Sequence, residues 1–300
     1  MKKTLLSTLV ASLLLNNFAI ANTNLSSKEV SKNALKTATK DAKSHQVKLV
    51  KEALSSLELS AKAVKALDDN KSDEAKKDIE LALGKLEGIL SVKNTPKLLP
   101  IENRVVVKNF VGTADDVKKA LAEVKRLLTV GKVQEAGELL ISLQSELDIT
   151  VINLPLVSYP DALKLASKYL IENKPKKAKE VLVLALNTFT EIEQVIPIPL
   201  INSLNLVLVA NDIAKSDKEQ ALKHLAMASD ELKKAQELGY VSKSTSTYKE
   251  LQDLIEKTEK EVKGPNKAEK LFKELADKLK EFKSKIISTH DTKEDNNSTK

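Results

Sequence analysis

The sequence predicts an all-α protein of repeated antiparallel helix hairpins, packed into a bundle or a short solenoid-like array, with Pro-containing extended connectors. Three observations predict it. The 300 residues hold only seven glycines, no tryptophan and 3% aromatics, against abundant Ala, Leu, Lys and Glu. That composition favours helices over the glycine-rich tight loops of α/β enzymes. Apolar residues recur at three- and four-residue steps along most of the chain. Finally, one device occurs four times: helix formers, a short polar break, then an alanine opening a second helix. The alanines are Ala75, Ala136, Ala178 and Ala221, and Asn70, Gly131, Asn173 and Ser216 each stand five residues earlier. Asn and Gly tolerate the left-handed conformation that ends a helix, and alanine lets two helices approach closely. Internal repetition follows.

Taken in order, residues 1–21 read as a secretory leader. Met1-Lys2-Lys3 is basic, an apolar run from 5 to 15 is too short to span a bilayer, and Ala19-Ile20-Ala21 is a small-x-small cleavage pattern. The expectation is an exported, periplasmic protein cut after Ala21. Residues 22–44 read as a polar arm and helix start, with a loose 22–33. A helical domain is expected over 45–263. Its first helix carries Val47, Leu49, Val50, Ala53, Leu54, Leu57, Ala61, Val64 and Leu67 and breaks at Asp68-Asp69-Asn70. Its partner follows from Ser72, a candidate cap, and carries Gly84 and Gly88 at a spacing suited to close helix packing. Pro96 and Pro100 then interrupt the pattern. Residues 104–108 are β-like and read either as an edge strand or as an extended connector.

Thr113 caps the next helix, with Asp115 and Asp116 in its first turn. Gly131 ends that helix, and the helix led by Ala136 follows. Leu154-Pro155-Leu156 and Ile198-Pro199-Leu200 are apolar-proline connectors, placed about 20 residues after a repeat alanine, roughly one helix plus a link. Residues 200–214 are apolar on most faces and predict a central buried helix. Gly239-Tyr240 reads as a helix stop with Tyr240 packing back. A last helix of the domain covers 247–262. Beyond Gly264-Pro265, an amphipathic helix over 264–287 spaces Ala268, Phe272, Leu275, Leu279, Phe282 and Ile286 as a heptad seam. It docks, pairs, or lies on an anionic membrane surface; interleaved acids favour docking or pairing. Residues 288–300 are polar and read as a disordered tail.

Chemistry is sparse. No cysteine is present, which excludes thiolates and disulfides. His45, His224 and His290 are scattered, and no residue at helical spacing completes a metal set around any of them. No phosphate loop, dinucleotide fingerprint, nucleophile elbow or zincin pattern appears. The acid pairs 68–69 and 115–116 sit at helix ends, where they suit capping. Without the leader, 47 basic residues face 42 acidic ones, a +5 excess. Neither this mild excess nor export points to nucleic acid.

The leader, the alanine-led units, the connectors at 154–156 and 198–200 and the string Ala235-Gln236-Glu237-Leu238-Gly239-Tyr240 together resemble the YfdX family over roughly 45–262. The stretch after Pro265 departs from that pattern. The resemblance implies an exported helical protein of Gram-negative bacteria, oligomeric and linked to stress or acid response, and it implies no catalytic residues. Tetratricopeptide arrays are similar in architecture only, having a shorter period and aromatic positions missing here. The expected function is a non-enzymatic, stress-related binding protein that holds partner or client proteins, chaperone-like, and associates with itself. The alternative is a small-molecule binder with a pocket near Pro155 and Pro199. The candidate binding surface is Leu154, Pro155, Leu156, Ile198, Pro199, Leu200 and Tyr240. No cofactor or metal is expected.

Overall fold

A computed structural model describes residues 25–44, 50–93, 95–242, 246–264 and 268–290. The leader, His45 and the last ten residues lie outside the described residues. Among the described residues, eleven helices and three strands follow in chain order: α1 (Ser27–Ser44), α2 (Val50–Asp68), α3 (Ser72–Leu90), β1 (Leu98–Lys108), α4 (Ala114–Thr129), α5 (Val133–Ser142), β2 (Glu146–Pro155), α6 (Tyr159–Ile171), α7 (Pro175–Leu186), β3 (Thr190–Pro197), α8 (Ile198–Ile213), α9 (Lys218–Glu237), α10 (Ser246–Lys263) and α11 (Glu269–His290).

The protein is mostly helical, but it is not all-α. Of the proline-containing links expected as connectors, those at Pro100 and Pro155 are strands of one sheet, ordered β1-β2-β3, whereas Ile198-Pro199-Leu200 follows β3 and opens helix α8. Pro100 lies inside β1, while Pro155 and Pro197 close β2 and β3. Proline lacks a ladder donor, so positions at strand ends or edges suit it. Residues 104–108, read as strand or connector, belong to β1.

The chain forms two compact units. Unit 1 holds 1–44, 105–149 and 194–300; unit 2 holds 45–104 and 150–193. Unit 2 begins at residue 45, and residue 264 lies within unit 1.

Unit 2 contains two hairpins. In it α2 packs on α3, α6 on α7, α3 on α6 and α2 on α7. Asn70 and Asn173 take positive φ at the two turns (57° and 56°). After each turn the backbone closes alike: Lys71 N–H donates to the Ala66 carbonyl and Lys174 N–H to the Tyr169 carbonyl, both at 2.8 Å. Ile79, Leu86, Leu163 and Leu182 are among the residues filling the core. A hydroxyl chain crosses it: Tyr159 Oη donates to Ser60 Oγ (2.8 Å), Ser60 Oγ to the Ser56 carbonyl (2.9 Å), and Ser56 Oγ to the Ala82 carbonyl (3.0 Å). Gly84 and Gly88, read as a close-packing pair, instead face open space; a Cβ on either would meet nothing within 4 Å.

Unit 1 is built on α8, buried on nearly every face. Helices α1, α9 and α11 pack on it, and α10 packs on α9 and α11. The expected loose arm is corrected here. From Ser27 it is helix α1, opened by a reciprocal pair in which Ser26 N–H donates to Glu29 (2.8 Å) and Glu29 N–H to Ser26 Oγ (3.4 Å). Val30, Ala34, Ala38 and Ala42 form its buried stripe. Small side chains at four-residue spacing carry little apolar signal but allow close helix contact. On α11, the seam Phe272, Leu275, Leu279 and Phe282 is likewise buried in the unit 1 core. Gly239 ends α9 at φ 86°, and Tyr240 N–H closes on the Ala235 carbonyl at 3.0 Å.

Candidate functional site

Most residues singled out as a binding surface lie inside the two cores. Leu154 and Leu156 are buried in unit 2; Ile198, Pro199 and Leu200 are buried in unit 1. Pro155 is half-buried at the end of β2. These apolar residues flank a strand end at Pro155 and a helix start at Pro199, and they pack rather than present a face. Tyr240 is half-buried, and its hydroxyl is committed. Its Oη donates to Glu146 Oε2 (2.9 Å) and accepts from Ser145 N–H (3.0 Å). Glu146 and Asp148 also hold Lys108, with Nζ at 3.0 and 2.9 Å. Hydrogen bonds to Asp148 and then Glu146 raise the Lys108 ammonium above its usual range, and burial lifts the Tyr240 phenol. Both groups keep their protons at neutral pH. The cluster ties the Gly239-Tyr240 stop to the start of β2, and no member is poised to transfer a proton.

A second polar group lies on α9. Lys234 Nζ donates to Glu231 Oε1 (2.8 Å) and to the Gly112 carbonyl (3.1 Å). Burial raises the Glu231 carboxyl against the pull of Lys234. Asp230 receives the Ala114 N–H at 3.4 Å, so α9 anchors the start of α4. That start is also closed by the expected cap: Thr113 Oγ1 accepts from Asp116 N–H (3.2 Å) while Thr113 N–H donates to Asp116 (2.9 Å). His224 is fully buried, with Nδ1 2.9 Å from Ser27 Oγ and its Nε2 without a partner. Burial lowers its pKa. Among the described residues, no three His, Cys, Asp or Glu gather as a metal set, and no helix is long and apolar enough to cross a membrane. Two shallow hollows are among those on the described residues. One of about 340 Å³ is bordered by Asn211, Lys215, Glu269 and Phe272, and the other by Ser26, Glu29, Asp217 and Gln220. Neither touches the connector residues.

An open apolar face on α4–α5 stands apart from these satisfied clusters. In each hairpin the positions eight before and four after the alanine can be compared. They are Leu67 and Ile79 in α2–α3, Leu170 and Leu182 in α6–α7, and Ile213 and Leu225 around Ala221. None of these six exceeds 8% exposure. In α4–α5 the same positions are Leu128 and Leu140, exposed by 49% and 45%. Only Val124, Leu127 and Ala136 form the buried cluster of this hairpin, with Leu139 packed beside them. Helix α4 packs on α9 as well as on α5, whereas among the described residues α5 packs on no helix but α4 to a comparable extent. Val130, Val133 and Ile141 widen the exposed surface. At the positions of Val130 and Val133 the other hairpins carry Asp69, Glu172 and Lys215, and Ser72, Pro175 and Lys218. The apolar substitutions at this turn are visible in the sequence.

Residues 56–195 match the family model described as YfdX protein. Residues 56–195, just under half of the chain, are a YfdX domain. The YfdX segment takes in most of α2, runs through β3, and so includes α4–α5; α1 and α8–α11 lie outside it. A solved structure of Salmonella Typhi YfdX aligns with 51% of this chain and 98% of its own, at 15% identity and a TM-score of 0.35. No curated protein matches the chain.

Proposed function

We propose that this chain, with its YfdX domain, is a non-enzymatic, stress-related periplasmic binding protein, and that it holds partner or client proteins on the open face of α4–α5. The four hairpins are copies of one unit. The support for that is their shared register. The residues 19 and 12 before the alanine, and 7 after it, are buried in each hairpin, and α4–α5 departs by leaving its leucines 8 before and 4 after the alanine uncovered. The observation that carries the binding reading is the exposure of Leu128 and Leu140, at 49% and 45%, where their counterparts are core. Exposed contiguous apolar surface favours protein association because covering it removes it from water. Export rests on the leader, and Asn22 is then the first residue of the periplasmic form; N-terminal sequencing of a periplasmic extract checks it.

The binding test uses residues 22–300 and reduced α-lactalbumin as an unfolding client, followed by light scattering. The parent protein suppresses aggregation at near-equimolar ratio. The double variant Leu128→Asp, Leu140→Asp loses that suppression while keeping its helical circular dichroism. Equal suppression by the variant would remove this face from the function.

A further inference from the structure

We infer that the turn end of the α4–α5 hairpin is a docking tip for an anionic phospholipid surface. Val130 and Val133 enter the headgroup region, and Lys125, Arg126 and Lys132 meet the lipid phosphates. The inference goes beyond the client reading: it concerns the turn, whereas that reading rests on Leu128 and Leu140 along the helices.

Three observations select a lipid surface. The first is where the apolar side chains stand. Val130 and Val133 are 55% and 65% exposed and flank Gly131-Lys132, at a turn rather than in a groove. Every residue from Leu128 to Glu135 is exposed. The turn itself does not need valine, since the other three hairpins form with Asp69, Glu172 or Lys215 at the first position and Ser72, Pro175 or Lys218 at the second. A valine held in water gains free energy by entering an apolar medium. The second observation is charge. From 124 to 134 the charged side chains are Lys125, Arg126 and Lys132, and no acid stands among them; the acids of the hairpin lie at 115, 116, 123, 135 and 138. A basic rim around an apolar tip suits an anionic bilayer, because cations near that surface add attraction while the valines add burial. An unfolding client presents no such continuous layer of negative charge. The third observation is that these cations can turn to a new partner. All three are exposed. Arg126 is held by Glu123 (2.6 Å) and Lys132 by Glu135 (2.8 Å), both pairs lying open to water. Pairs of that kind contribute little, so a lipid phosphate replaces the carboxylate at small cost. Behind the tip the hairpin has a fixed base: α4 packs on α9, and its start is held by Asp230 and by the Thr113 cap.

The test floats residues 22–300 with vesicles of phosphatidylethanolamine and phosphatidylglycerol, and separately with vesicles of phosphatidylcholine alone. The parent floats with the anionic vesicles and not with the neutral ones, and added salt weakens its binding. The double variant Val130→Asp, Val133→Asp lowers the partition coefficient by about 30-fold or more, and Lys125→Glu alone by about 10-fold, with helical circular dichroism unchanged. Because the chain has no tryptophan, Val130→Trp supplies a single reporter whose emission moves to shorter wavelength on adding anionic vesicles. Val111→Trp, in the link before α4 and so at the far end of that helix, shows no such change. A parent that stays in the lipid-free fractions overturns the inference, as does flotation indifferent to the valine pair. If that parent still suppresses α-lactalbumin aggregation through Leu128 and Leu140, the client reading survives alone. If flotation depends on the valine pair while Leu128→Asp, Leu140→Asp suppresses aggregation like the parent, the lipid tip stands and the client reading falls.

Discussion

Hairpins α2–α3 and α4–α5 use the same local grammar and end in different states. Both turn through a left-handed residue five before an alanine, Asn70 at φ 57° and Gly131 at φ 77°. Both close the turn through an N–H one residue on, Lys71 to the Ala66 carbonyl (2.8 Å) and Lys132 to the Leu127 carbonyl (2.9 Å). Both place apolar side chains eight before and four after the alanine. Yet Ile79 is fully buried and Leu140 is not. Local sequence sets the hairpin, while burial of its outer face depends on a further element. For α2–α3 that element is α6–α7; α4–α5 has α9 against α4 and leaves α5 open on the far side. The difference locates the proposed binding surface better than composition could.

The largest expected effect comes from truncating equivalent leucines in the closed and open hairpins. Leu182→Ala empties a core position and costs about 2–5 kcal/mol by urea denaturation. Leu140→Ala, partly in water already, costs under about 1 kcal/mol. Equal penalties would mean that α5 is closed within the chain.

Several parts of this architecture were legible from residues. The turns at Asn70, Gly131 and Asn173, the cap at Thr113, the stop at Gly239 and the buried α8 all follow from residue type and spacing. The fourth turn departs: Ser216 takes no left-handed conformation, and Asp217 caps α9 instead, receiving Gln220 N–H at 2.9 Å. The sheet was only partly legible, since strands broken by prolines at 100, 155 and 197 resemble connectors. Helix α1 was missed because its buried stripe is chiefly alanine set among lysine and threonine. The candidate surface at 154–156 and 198–200 was misplaced because apolar residues beside proline were read as a ligand wall, when their apolar character predicts burial equally well. The clue at α4–α5 needed the four hairpins aligned on their alanines. Only then do Val130 and Val133 appear where the others carry polar or charged residues or a proline.

A smaller effect separates unit 1 from unit 2 by pH. Among the described histidines with placed side chains is His224, buried in unit 1 against α1 through Ser27. Its folded pKa is lowered by burial. The unfolded chain therefore takes up a proton near pH 6.5, where the folded chain does not. Stability is fully present above about pH 6.5 and falls as pH drops through that value toward the folded pKa. Urea midpoints of the parent should decline on acidification across this window, and His224→Gln should flatten the decline. Hydrogen exchange should place the loss in α1 and α9 before α2, α3, α6 and α7. A variant with the parent's pH slope would assign the acid sensitivity elsewhere.

The finest test uses two glycines six residues apart. Gly131 sits at φ 77°, where a side chain is strained, so Gly131→Ala should destabilise the chain by about 1–2 kcal/mol. Gly137 lies in helical backbone facing open space, so Gly137→Ala should stabilise the chain by up to about 1 kcal/mol. Both substitutions add one methyl to the open hairpin, and backbone conformation alone gives them opposite signs. If Gly137→Ala destabilised the chain instead, an atom would have to lie against α5 on that side, and the open face would have to be argued from Leu128 and Leu140 alone.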